Sequence, residues 1–163
     1  NTYNQKFVAD AGQLFEGDYV GVSFAAFEYD TGLEQQQKYF EYMDKIGVTP
    51  SELAMTGWIN AHLAVTGLLE AGPEFDRQKV VDATNKLTAY SADGLIDPID
   101  WTRQHTPPDP EVPGSGYKQE CSSVVQVKSG KFVTIGDNPT KPFICWPGDD
   151  KSWMDPTPTS FGS

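Results

Sequence analysis

Apolar positions recur most regularly between residues 49 and 72, TPSELAMTGWINAHLAVTGLLEAG. Ala54, Trp58, Ala61, Val65 and Leu68 fall at helical spacing, and Ala64 and Leu69 widen the face, which predicts a mostly buried helix. Thr49, Pro50 and Glu52 read as a capping box with proline in the first turn. Gly72 followed by Pro73 reads as a stop. Gly57 and Gly67 each cost a helix roughly 1 kcal/mol relative to alanine. A neighbour pressed close to the backbone is therefore expected at both.

The flanking pattern supplies the other elements. Residues 4–14 predict a short amphipathic helix with Phe7, Val8, Ala11 and Leu14 on one side. Residues 19–27, YVGVSFAAF, form a nearly unbroken apolar run, which suits a strand covered on both faces as in a parallel sheet. Thr31 and Glu34 read as a second capping box, opening a helix with Leu33, Phe40, Met43 and Ile46 inward and Gly47 at its end. Asp76 caps a helix reaching Leu87 with Val80, Val81, Thr84 and Leu87 as its buried stripe. A short β segment broken by Pro98 is expected at 95–101. Residues 105–116 hold four prolines and predict a loop. The alternation at 121–128 and 131–135, joined by Ser129-Gly130, predicts a β-hairpin. A last strand is expected at 143–146, and a loose tail from 149 to 163.

Composition narrows the class. The length suits one domain, and a hydrophobic fraction of 38% is enough for a real core. A net charge of −11 argues against nucleic-acid or anionic-membrane partners. No apolar run is long enough to span a bilayer. The opening residues read like the middle of a fold, without a signal peptide, so a fragment or processed chain is expected. Cys121 and Cys145 are open to two readings. They are small buried residues, or a disulfide that would contribute about 3–4 kcal/mol in a Gly/Pro-rich region with little core. The second is favoured and points to an exported protein.

Catalytic patterns are missing. Gly114-Ser115-Gly116 lacks the strand–helix frame of a nucleophile elbow, and there is no phosphate loop. His62 and His105 are too few and too isolated for a zinc site, and His62 reads as a solvated or hydrogen-bonded mid-helix residue. Asp149-Asp150 lacks the alternating oxygens of a calcium loop. Neither a cofactor nor a metal is expected, and an enzyme is disfavoured.

Several features share one order. Gly57-Trp58 with Ala61 is followed by Gly67-Leu68 with Ala71-Gly72. Asp76-Arg77 with Val80, Val81 and Ala83 comes next, then Gly94-Leu95 with Pro98-Ile99 and Trp101, and finally VVQVKSGKFV at 124–133. This set, over residues 12–146, resembles the C-terminal half of a type I periplasmic solute-binding protein. The subgroup is the branched-chain amino acid receptors of ABC importers, in an actinobacterial version. The resemblance implies a partial α/β fold with a crossover strand, helices and a C-terminal β-hairpin. Two lobes would be joined by three crossovers, with the ligand held between them. Residues 1–31 would be the end of the second lobe and the crossover strand, and 32–97 the first-lobe helices. Residues 98–148 would return to the second lobe, and 149–163 would be the tail. The implied partners are a small amino-acid-like ligand and an ABC permease, outside the cytoplasm. A sensor ectodomain of the same fold, or the non-catalytic part of an enzyme, are the alternatives. The ligand contacts implied are Tyr3 near the ligand's amino group, Phe24 and Phe27 at the crossover, and Leu53 at the helix start. Read from the residues alone, Phe24 and Phe27 are core and Leu53 packs the start of its helix; Trp58 and Trp101 are core.

Overall fold

A computed structural model of the chain describes residues 3–104, 121–135, 138 and 140–145. Its described elements are α1 (Gln5–Ala11) with a 3₁₀ turn at Gly12–Phe15, β1 (Tyr19–Val22), α2 (Glu34–Lys45), α3 (Glu52–Ala71), α4 (Arg77–Thr84), β2 (Cys121–Lys128), β3 (Lys131–Thr134) and β4 (Phe143–Cys145). Helices and an antiparallel sheet thus make a partial α/β fold. The predicted loop at 105–116 and the tail at 149–163 lie outside the described residues, as does Trp146.

β2 is the hub of the sheet. Its alternate residues Cys121, Ser123, Val125 and Val127 are buried, so one face meets the core. β1, β3 and β4 all pair with it antiparallel, with Gly21 opposite Val124, Val127 opposite Phe132, and Cys121 opposite Cys145. The hairpin turn is as expected. Ser129 and Gly130 both have positive φ, 52° and 69°, the geometry of a type I′ turn that matches strand twist. Cys121 and Cys145 are joined in a disulfide that ties β4 to the start of β2.

The parallel-sheet expectation fails at β1. The strand stops at Val22, and Tyr19 stays 65% exposed. Beyond it, the Ala25 amide donates to Leu95 O (2.7 Å) and the Ala26 amide to Ser123 Oγ (3.1 Å). The apolar run marked a buried crossing rather than a longer strand. Residues 95–101 likewise yield only a single bridge, Tyr90 with Ile99. Proline at 98 has no N–H to extend a ladder.

Among the helices, the expected order holds and several details shift. α1 is capped by Asn4, whose side chain accepts from the Phe7 amide, but Phe7 and Leu14 are exposed and Val8 alone in the helix is buried. α2 has no side-chain cap. Thr31 Oγ1 accepts from the Leu33 amide and donates to Gln36 Oε1, so the hydroxyl serves the buried glutamine instead. Leu33, Phe40 and Met43 pack on the core as expected, whereas Ile46 is exposed and Tyr39 and Gln36 take the most buried places. α4 is capped by Asp76, which accepts from the Lys79 amide, and ends at Thr84 rather than Leu87. Val81 on its expected stripe is exposed.

α3 departs most. Ser51, not Thr49, is the cap; its hydroxyl accepts from the Ala54 amide, and Glu52 is merely the first helical residue. The face turned to the rest of the chain runs through Met55, Ile59, Leu63 and Gly67. Leu53, Val65, Leu68 and Leu69 are exposed, so the mostly buried helix of the sequence reading is covered on one side only. The two glycines separate accordingly. A Cβ at Gly67 would collide with Thr84 Oγ1 and touch Val80, so α4 approaches closely there. At Gly57 nothing lies within 4 Å, and the expected close neighbour is missing.

Candidate functional site

Two chain crossings meet beside the first turns of α3. The first leaves β1 at Ser23, and the second passes through residues 95–99. The Ala25–Leu95 hydrogen bond joins them, and buried Gln36 donates from Nε2 to Ala25 O (3.2 Å), tying both to α2. Both the oxygen, which accepts from Thr31, and the nitrogen of that glutamine side chain thus have a partner, which offsets its burial. Tyr39, wholly buried, accepts from the Ser51 amide (3.0 Å) and donates to Ser51 O (3.2 Å), so α2 also fixes the start of α3. Burial raises the Tyr39 phenol above its ordinary pKa, keeping it a neutral donor.

Between these elements lies a cavity of about 450 Å³. Thr56 and Asn60 of α3, one turn apart on the same face, line it with Ser23, Ile59, Ile96 and Asp97. The lining mixes apolar side chains with hydroxyl, amide and carboxylate groups, the make-up of a small-molecule subsite, and the Thr56 hydroxyl donates to Glu52 O (2.9 Å). Asp97 also lies near the disulfide: its carboxylate and the two sulfurs come within 4.8 Å of one another. The sulfurs are bonded to each other, which leaves no thiolate to hold a metal.

Of the residues named from sequence, Tyr3, Phe24 and Phe27 come together and Leu53 stands apart. Tyr3 OH donates to Glu28 Oε2 (2.6 Å) and accepts from the Phe27 amide (2.7 Å). Burial, then the Glu28 carboxylate, drives its phenol well above the ordinary range. Its ring centroid lies 6.0 Å from that of Phe24 and 5.4 Å from that of Phe27; Phe27 in turn stacks on Tyr39 at 5.7 Å. Phe24 has no exposed surface, while half-buried Phe27 lines a shallower recess with Glu28 and Leu33. Leu53 is 73% exposed on the outer side of α3. Trp58 and Trp101 both pack against the core, as read from the sequence.

Sequence reasoning missed Thr56, Asn60 and Asp97. A polar pair four residues apart in an otherwise apolar helix, and a carboxylate just before Pro98, were the available signals. His62 is hydrogen-bonded, as expected: Nδ1 faces Tyr90 OH (3.1 Å) and Nε2 faces Asp93 Oδ2 (3.3 Å).

The chain matches a family model described as periplasmic binding protein over residues 2–131. No curated protein and no solved structure matches it. No helix among the described residues is long and apolar enough to cross a membrane.

Proposed function

The chain belongs to the periplasmic binding protein family, and from that premise we propose that it is part of an extracytoplasmic solute receptor serving an ABC importer. Its ligand is a small amino-acid-like organic solute held between two lobes, and its partner is the membrane permease that reads the closed form. Binding rather than turnover is the mechanism, the activity general to the family.

In this reading, residues 1–31 and 98–148 belong to one lobe and 32–97 to the other, with residues 149–163 as a tail. The two joined crossings are then hinge strands, whose backbone angles absorb closure. The 450 Å³ cavity beside them is one wall of the cleft. Tyr3, Phe24 and Phe27 act from beneath that wall, and Leu53 reaches ligand from the opposite lobe's side of α3. The observation that carries the proposal is this side-by-side crossing, Ala25 on Leu95, against the polar pair Thr56 and Asn60, within the matched region. The outer surface of α3 supports it too. Leu53, Val65, Leu68 and Leu69 stand exposed there, an apolar surface of the kind that is made to be covered, and the remainder of a two-lobed receptor supplies that cover.

Thermal unfolding of the complete two-lobed protein against amino acids, amides and aromatic acids tests this. A true ligand at about a hundred times its Kd stabilises by about 2.7 kcal/mol, and Asn60→Ala is expected to reduce that shift. An unchanged Tm across the whole library contradicts the receptor.

A further inference from the structure

The turn that launches the second crossing is held in an uncommon backbone. Ala92 and Asp93 have φ of 48° and 55°, and Gly94 follows at 93°. Non-glycine residues are strained in the left-handed region and persist there where their surroundings over-determine them. Here the surroundings are visible. Asp93 Oδ2 accepts from Gln35 Nε2 of α2 (3.0 Å) and faces His62 Nε2 of α3 (3.3 Å). The other nitrogen of His62 faces Tyr90 OH (3.1 Å), whose proton is shared between that nitrogen and Ile59 O (3.1 Å), so that a neutral His62 carries its own proton on Nε2, toward Asp93. Tyr90 exchanges two backbone hydrogen bonds with Ile99, at 3.0 and 2.8 Å, and Leu95 O holds Ala25. A single carboxylate thus gathers α2, α3 and the chain just before the crossing. Leu33 fills the space where a Cβ at Gly94 would sit, closing the turn from the other side.

We propose that His62, Asp93 and Gln35 form a clasp that positions the second crossing on the first. His62, Asp93 and Gln35 do not themselves line the 450 Å³ cavity, and reach it only through Tyr90 and its bonds to Ile59 and Ile99; they are positioning residues. Released, the turn relaxes toward ordinary backbone angles and the paired crossings loosen together. That this governs lobe closure rests on the receptor reading. The clasp itself does not.

Native-state amide exchange on the whole chain, without ligand, tests it. His62→Ala and Asp93→Ala are each expected to speed exchange at the Ala25, Tyr90 and Ile99 amides about tenfold. The Val127 amide, bonded to Asp18 O in the sheet, stays unchanged. The double variant exchanges no faster than the faster single, because the two residues serve one clasp. Asp93→Asn, which keeps an amide oxygen and tolerates the left-handed turn, shows a smaller effect. Unchanged rates, a parallel rise at Val127, or effects that multiply in the double variant overturn the clasp. So does Asp93→Gly with wild-type protection, since the carboxylate would then be dispensable. Because no ligand is present, a failed solute screen leaves this result standing, and a failed clasp leaves the receptor standing.

Discussion

The sheet and the helices solve burial differently. In β2 the inward side chains are buried and the outward ones half-covered up to the exposed Lys128, and β1, β3, β4 and a disulfide close around it. In α3 one side grips α4 and the core, while Leu53 and Leu69 stand 73% and 75% exposed on the other. The first region covers its inward face within this chain, though Tyr19 and Ile144 stay exposed at its margins. The second is half of a packing problem whose other half the proposed receptor supplies. An apolar surface of that kind marks a contact to be made.

The contrast can be broken most severely in the core. Phe24→Ala, beneath the crossings, is expected to destabilise by about 3–5 kcal/mol, whereas Leu69→Ala should stay within about 0.5 kcal/mol; urea unfolding of both variants checks the gap. Opening the disulfide comes next. Cys121→Ser with Cys145→Ser is expected to cost about 3–4 kcal/mol by releasing the closed loop, measured as a fall in denaturation midpoint relative to the oxidised protein.

The glycines then sharpen it by sign. Gly67→Ala drives a methyl into Thr84, and overpacking of about 1–3 kcal/mol outweighs a helix-propensity gain of about 1 kcal/mol. Gly57→Ala meets open space and should stabilise this chain by about 0.5–1 kcal/mol. In the complete receptor, with the outer side of α3 covered, the Gly57 gain should vanish or reverse.

The smallest effect is electrostatic. Gln35, and after it His62, hold the Asp93 carboxyl below its ordinary pKa. Its contribution is therefore present above the unfolded value near 4 and is lost as pH falls through the lower folded value. Solvent screening of this exposed group limits the contribution to about 0.5 kcal/mol. Asp93→Asn should flatten the acid limb of the stability curve by that amount and leave the rest in place.

How much of this was legible follows from what each signal encodes. The hairpin was readable because Ser129-Gly130 fixes a turn and alternation fixes a face, both local. The disulfide was favoured for lack of other support in its region, and the family from the order of weak motifs. Tyr39 and Gln36 were missed because their value lies in distant backbone groups, Ser51 and Ala25, which no helical period reveals. Thr49 outranked Ser51 as a cap because Pro50 and Glu52 imitate a capping box; the first true helical residue is Glu52 itself. The face of α3 was misread because apolar residues are spread over most of its circumference and leave the inward face unmarked in sequence; Met55, Ile59, Leu63 and Gly67 against Thr84 orient it. Leu53 was placed by resemblance, and the structure sets it apart from the aromatic cluster of Tyr3, Phe24 and Phe27.

The central claim is that the outer side of α3 is an interior surface of a two-lobed receptor. Ala61→Cys on that side tests it directly, since both native cysteines are already joined and the new thiol is the sole free one. In this chain alone it should alkylate like an open thiol, and in the complete receptor about a hundredfold more slowly, while Glu41→Cys on the exposed side of α2 reacts equally fast in both. Equal rates for Ala61→Cys in the two proteins would contradict the account.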